Sequence, residues 1–319
     1  MKLTSVHAAP LAHFLEVADR GSLTAAADAL HITISSVSRQ VARLEEDLGV
    51  QLFERDPRGM RLTEAGVFVR EYATRAFLEA EDLRAELQGL QSLSNTTVHV
   101  SCSEGFAHDY LPYVMAGFHG LHPGVRFTLE VCSPAEATRA VRAGGADVAL
   151  SFAMAAQEGI HVEYSEDAPV YALVSKRHAL ARRESVALKE LMDYPLVLPT
   201  GANTIRQLFD IACGLEGLRT DAAMTSNSLA ALNAYQRHGN AVTLCGSLSV
   251  RNRLRESQQV LIPIDSLPLQ QRLMQVQSLA GRRLSPAVRA FVDYLVDDIR
   301  GRRRTVRGRR RKPRDSHRR

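Results

Sequence analysis

The sequence predicts an α/β chain in three parts: a small helical unit with a hairpin, one long helix, and a larger region of alternating strands and helices. Three observations predict it. Gly21–Gly49 reads as two short helices joined by a turn. Val69, Ala73, Ala76, Ala80, Leu83, Leu87 and Leu90 recur at alternating steps of four and three, a heptad seam on one helix. Beyond residue 97, strand-like and helix-like apolar patterns alternate, as in a mostly parallel sheet covered on both faces.

Ala8–Arg20 forms the first helix, with Leu11, Phe14, Leu15 and Ala18 on its buried stripe. Ser22 is an N-cap, and Ala25, Ala26, Ala27, Ala29 and Leu30 follow as strong helix formers. The helix fails at His31–Ile32, and Thr33 offers the next N-cap. In the second helix Val37, Val41, Leu44 and Leu48 make one apolar stripe. Ser35, Arg39 and Arg43 lie four apart on another face, with Ser38 beside them. Such a face suits the DNA major groove, where Arg reaches guanine O6 and N7 and Ser meets a base edge or a phosphate. The same pattern fits a solvated helix in a small bundle, and periodicity alone leaves the two level. Val50–Phe53 and Gly59–Thr63 flank a turn containing Pro57, which predicts a hairpin carrying Arg55, Arg58 and Arg61.

Thr63 caps the long helix, predicted to run to about Leu90; its seam reads as pairing two subunits, the alternative being a helix packed on its own chain. Gln91–Thr97 is polar and reads as a hinge. Strands are predicted at Val98–Ser101, Val125–Val131, Asp147–Ser151, Val170–Ser175, Leu196–Leu198, Ala222–Thr225, Ala241–Leu244, Val260–Ile264 and Arg272–Gln277. Helices are predicted at Tyr110–Leu121, Ala135–Ala143, Thr204–Cys213, Ser228–His238, Ser247–Leu254 and Pro286–Ile299. Ligands of open parallel sheets sit beyond the carboxyl ends of the strands. Those ends hold Ser103 and Glu104; Thr200, Gly201 and Asn203; Ser226 and Asn227; and Cys245. Two of these places open helices, whose N-termini favour a small anionic metabolite, although Ser, Thr and Asn there also act as ordinary caps.

Charge is unevenly spread. Twelve of the 40 Lys and Arg residues and one of the 35 Asp and Glu residues lie in Arg300–Arg319, leaving 28 basic against 34 acidic, a net −6. A bulk-charge argument for nucleic-acid binding therefore fails for the body, and affinity must come from local placement. The nearly apolar-free tail 301–319 cannot fold alone and could lie on phosphates. The four cysteines make no C-x-x-C pair and no cluster with His, so no metal is expected. There is no signal sequence and no run of 18 apolar residues, which points to a cytoplasmic address without membrane contact. No nucleophile elbow, phosphate loop, HExxH or dinucleotide fingerprint occurs, so neither an enzyme nor a cofactor is expected.

Leu11-x-x-Phe14, Gly21-Ser22-Leu23-Thr24-x-Ala26-Ala27-x-x-Leu30, Val37-Ser38-Arg39-Gln40-Val41-x-x-Leu44-Glu45-x-x-Leu48-Gly49, Leu52-Phe53-x-Arg55 and Leu62-Thr63-x-x-Gly66 together resemble the LysR-type transcriptional regulators over about sixty residues. The resemblance implies a winged helix-turn-helix at 6–63, a dimerisation helix at 64–92 and a two-lobed effector domain at 93–300. That domain would resemble periplasmic binding proteins, with lobe I about 93–168 and 269–300 and lobe II about 169–268; the basic tail 301–319 is unexplained by it. It implies promoter DNA as partner, contacted by Thr33, Ile34, Ser35, Ser38, Arg39, Arg43 and the wing-tip Arg58. It also implies a homodimer or homotetramer, built through the linker helix and effector domain, and a small effector between the lobes. Many relatives carry Gln where this chain has Ile34, so the operator read here should differ. The alternative is a solute-binding or catalytic α/β domain fused to a helical adaptor.

Overall fold

The protein is described by a computed structural model over residues 9–56, 59–88, 96–153, 157–201, 203–255 and 257–301. The N-terminal unit comprises α1 (Ala9–Arg20), α2 (Leu23–Leu30), α3 (Ile34–Leu48), the antiparallel hairpin β1 (Phe53–Asp56) and β2 (Gly59–Leu62), and the start of α4 (Glu64–Gln88). Its helix ends follow the local chemistry. Ser22 Oγ accepts from the Ala25 N–H, and Thr33 Oγ1 accepts from the Ser36 N–H. Gly49, at φ 72°, closes α3 in the left-handed conformation. Leu11, Phe14 and Val17 of α1 pack with Val37, Val41 and Leu44 of α3 and with Leu52 in one core.

Thr63 Oγ1 accepts from the Gly66 N–H and so caps α4. A Cβ at Gly66 would lie 2.1 Å from the Leu52 carbonyl oxygen, so only glycine lets the helix seat this closely. Val69, Ala73 and Phe77 of α4 join the N-terminal core, and Leu78 packs against Ala137, Val141, Ala149 and Leu279 of the larger domain. This corrects the seam drawn from sequence. Its first members are used within the chain, because α4 must bridge two cores, and the exposed apolar residues Val67, Phe68 and Tyr72 lie on the adjoining face. The side chains of Leu83 and Leu87, all of Leu90 and most of the expected hinge lie outside the described residues.

The larger region folds as two lobes. Lobe I begins with β3 (Thr96–Ser103), α5 (Glu104–Ala107), α6 (Tyr110–Leu121), β4 (Val125–Cys132), α7 (Pro134–Arg142), β5 (Val148–Ala153) and β6 (Ile160–Asp167). Lobe II follows with β7 (Val170–Ser175), β8 (Val186–Ala187), β9 (Leu196–Pro199), α8 (Thr204–Leu215), β10 (Ala222–Ser226), α9 (Leu229–His238), β11 (Val242–Gly246), β12 (Gln259–Asp265) and α10 (Leu267–Gln270). The chain then returns to lobe I as β13 (Leu273–Leu279) and α11 (Pro286–Ile299). The sheet orders are β4-β3-β5-β13-β6 and β10-β9-β11-β7-β12-β8.

The sheets are mixed rather than mostly parallel. β3 runs parallel to β4 and β5, and β9 parallel to β10 and β11, but β13 is antiparallel to β5 and β6, and β7 antiparallel to β11 and β12. The reason is topological: crossing between lobes brings a strand in from the far side, so it enters against its neighbours. Two further corrections are local. β6 escaped the sequence reading because it is an edge strand with no fully buried residue, in which Glu163, Glu166 and Asp167 break the apolar pattern. Ser247–Leu254, expected as a helix, breaks into tight turns at Leu248–Val250 and Arg253–Arg255. There Asp109 Oδ2 takes the Asn252 and Arg253 N–H groups at 3.0 and 3.2 Å, bonds that tie lobe II to lobe I.

Candidate functional site

The free face of α3 is the first candidate. Its burial divides as the sequence divides it. Val37, Val41 and Leu44 are sealed in the core, while Thr33, Ile34, Ser35, Arg39 and Arg43 are exposed and Ser38 is half-buried. Ile34 is 47% exposed, which settles that it points outward rather than into the core. Arg39 Nε donates to the Ser35 carbonyl at 3.3 Å, and the Thr33 and Ser35 hydroxyls are 3.1 Å apart. These bonds draw the side chains together along the N-terminal half of the helix. Glu45 on the inner side accepts from the Leu52 and Phe53 N–H groups, fixing the hairpin to α3. Arg58, the expected wing-tip contact, lies outside the described residues, as does the basic tail beyond Gly301.

The second candidate is a cleft between the lobes, a cavity of about 380 Å³. Of the residues expected there, Ser103, Glu104, Thr200, Asn203 and Asn227 line it. Gly201, Ser226 and Cys245 do not. Gly201 is exposed, Ser226 Oγ accepts from the Ser228 N–H, and Cys245 is buried behind the cleft beside a cavity of about 10 Å³. Burial pushes the Cys245 thiol up to about 12, so it is neutral at physiological pH.

Several lining groups already have local work. Asn203 Oδ1 accepts from the Ile205 N–H and caps α8, whose N-terminus opens on the cavity. Glu104 reaches across the cleft. Its Oε1 accepts from the Leu229 N–H of the opposite lobe at 2.8 Å and lies 3.2 Å from His108 Nε2. It thus caps α9 across the cleft. Ser103 Oγ is 3.3 Å from Ser151 Oγ.

Sequence reasoning missed Ser133, Phe152, Ser249 and Arg272. Ser133 carried a readable signal, because Ser133-Pro134-x-Glu136 is a capping box at the carboxyl end of a strand, and both of its bonds form. Arg272 carried none, since nothing in the sequence distinguishes it from a surface arginine opening a strand. Its side chain is fully buried between the lobes, with Cζ 3.9 Å from the centroid of the Phe152 ring. Among the described residues no group of His, Cys, Asp and Glu could hold a metal, and no helix is long and apolar enough to cross a membrane.

Residues 9–67 match the family model for bacterial regulatory helix-turn-helix proteins of the lysR family, and residues 91–300 match the LysR substrate binding domain. The chain belongs to the LysR family. That family consists of transcriptional regulators rather than enzymes. The HTH-type transcriptional activator IlvY of Salmonella typhimurium is 37% identical over 138 residues, 43% of this chain and 47% of IlvY. That match therefore spans about half the length of the relative. A full-length OxyR variant from Pseudomonas aeruginosa shares the fold at TM-score 0.63 and 22% identity, over 94% of this chain and 95% of OxyR. Full-length CbnR complexed with its target DNA shares it at TM-score 0.51 and 21% identity, over 93% and 99%.

Proposed function

We propose that this LysR-family chain reads promoter DNA with the outer face of α3 and is controlled by a small anionic molecule held between its two lobes. The observation that carries the reading is the division of α3. One side is locked into a core by Val37, Val41 and Leu44, and the other offers Ser35, Ser38, Arg39 and Arg43 with Thr33 and Ile34 at its start. A rigid helix with exposed Arg and Ser suits the major groove, where Arg39 would take guanine and Ile34 the apolar methyl of thymine. The shared fold of the DNA-bound CbnR structure supports placing this helix on duplex DNA.

Two copies would set two such helices on one face of the duplex. The exposed Val67, Phe68 and Tyr72 of α4 supply an apolar face for pairing. In the cleft, the N-terminus of α8 favours an anion, and the lobes meet through Glu104 and Leu229 and through Asp109 and Asn252. A ligand that binds the closed lobes better than the open ones would shift their balance and with it the spacing of the subunits.

Selection of bound fragments from the source genome, followed by footprinting with wild type and Arg39→Ala, tests this reading. A sequence-specific footprint that Arg39→Ala weakens roughly 10- to 100-fold is the expected result. A footprint unchanged in Arg39→Ala would remove α3 as the reading element.

A further inference from the structure

Arg272 stands where the chain returns from lobe II to lobe I, one residue before β13. Ala168 stands on the outgoing crossing, and the two are joined. The Ala168 N–H donates to the Arg272 carbonyl at 2.7 Å, and Arg272 Nε donates to the Ala168 carbonyl at 3.0 Å. The guanidinium face rests on Phe152, which is itself stacked on Phe106 with centroids 4.5 Å apart. Nη1 and Nη2 remain, both buried and neither with a hydrogen-bond partner among the described residues. The titratable group that acts on Arg272 is Cys245, and its thiol is neutral. Burial lowers the Arg272 pKa to about 9, so the guanidinium stays charged at neutral pH. A buried cation with no anion beside it is costly, and an anionic ligand would offset that cost.

We propose that Arg272 reads the carboxylate of a small organic acid in the interlobe cleft, with Nη1–H and Nη2–H donating in parallel to its two oxygens. This rests on the reading of the cleft as an effector site. Four features support it. Arg272 lines the same cavity as Ser103, Ser133, Thr200 and Asn203. The Phe152 ring lies against the flat face of the guanidinium, so a partner for the buried Nη1 and Nη2 would approach along its edge, in the plane. Space on that edge depends on Gly246, where a Cβ would lie 2.8 Å from Nη2. Across the cavity the α8 N-terminus adds a second attraction for negative charge. A carboxylate fits better than a phosphate. Two parallel donors match two carboxylate oxygens, and the Glu104 side chain in the same wall would repel a second negative charge. Because Arg272 also bonds the outgoing crossing at Ala168, an anion held there acts directly on the hinge.

The test uses the full chain, thermal melting and calorimetry. The probes are acetate, succinate and benzoate, the neutral amides of the same acids, and inorganic phosphate. At least one acid should raise the melting temperature of wild type while its amide does not. Arg272→Met should weaken that acid roughly 10- to 100-fold, and Arg272→Lys should be intermediate, having charge without the fork. Arg272→Met also loses the bond to the Ala168 carbonyl, so recognition is read from the acid-dependent rise in melting temperature alone; a purely structural arginine would leave that rise as large in Arg272→Met as in wild type.

An acid that binds Arg272→Met as well as wild type, yet is lost in Thr200→Ala, would remove Arg272 and leave the cleft reading standing. Amides binding as well as acids, phosphate binding where no acid does, or a wild type indifferent to all three acids would each overturn the carboxylate assignment. An acid unaffected by either substitution would remove the cleft reading as well. Should Arg272→Met fail to fold, Arg272→Lys with unchanged acid affinity would overturn the proposal.

Discussion

The outer face of α3 and the wall of the interlobe cleft both present polar side chains at helices, but they are built in opposite ways. In α3 the residues that hold the helix and those that face outward are different residues, separated by the helical period. Val37, Val41 and Leu44 do the first task, and Ser35, Arg39 and Arg43 do the second. In the cleft one residue does both. Asn203 caps α8, Ser133 caps α7, and Glu104 caps α9 from the opposite lobe, while each lines the cavity. Substitutions should therefore separate folding from recognition on the helix and confound them in the cleft.

The largest effect should come from the scaffold of α3. Leu44→Ala removes a side chain that is 1% exposed and should cost roughly 2–5 kcal/mol of stability. Its loss of DNA binding should accompany a lower melting temperature of the N-terminal unit. Arg39→Ala is the sharper half of that pair. It should lower affinity for the operator roughly 10- to 100-fold, the value of about 1–3 kcal/mol for a good base contact, and leave thermal melting unchanged. If Arg39→Ala also melted early, the division of labour claimed for α3 would be wrong.

In the cleft, Ser133→Ala should lose about 0.5–2 kcal/mol of stability with its cap and weaken the effector as well. Thr200→Ala, at an exposed position, should weaken the effector alone. Equal behaviour of these two variants in melting would break the contrast from the other side. The smallest effect belongs to His178, far from both surfaces in function. Its Nδ1 accepts from the Leu180 N–H, and burial holds its pKa below the ordinary histidine value. The unfolded chain therefore binds a proton more readily than the folded one. His178 adds stability above the unfolded value near 6.5, and that contribution falls as pH drops below it. Melting curves at descending pH should show a shallower fall in His178→Asn, which keeps an acceptor for Leu180.

Much of the helix-turn-helix was legible because its signals are local. Ser22, Thr33 and Gly49 cap through bonds to residues within four positions, and an i, i+4 stripe names its own buried side. The cleft was half legible. Strand ends brought Ser103, Glu104, Thr200, Asn203 and Asn227 to it, because a parallel strand fixes where its carboxyl end points. The same rule misplaced Ser226, whose hydroxyl turned to its own backbone, and Cys245, which packs with Leu173 and Val250 beside a separate small cavity. The α4 seam was legible only as an apolar face, for a different reason. A heptad says that a face is apolar and not which molecule covers it, and here the N-terminal core and lobe I cover its first turns.

By itself the sequence determined the caps, the inward and outward faces of α3, the alternation of strands and helices, and the family, because each is written within a few turns of chain. Only the tertiary structure decided the mixed strand directions, the partner of Glu104 125 residues away, and the burial of Arg272 against Ala168 104 residues before it. Those depend on where distant segments meet once two lobes have closed on each other, and a pattern read over a few residues carries no term for that.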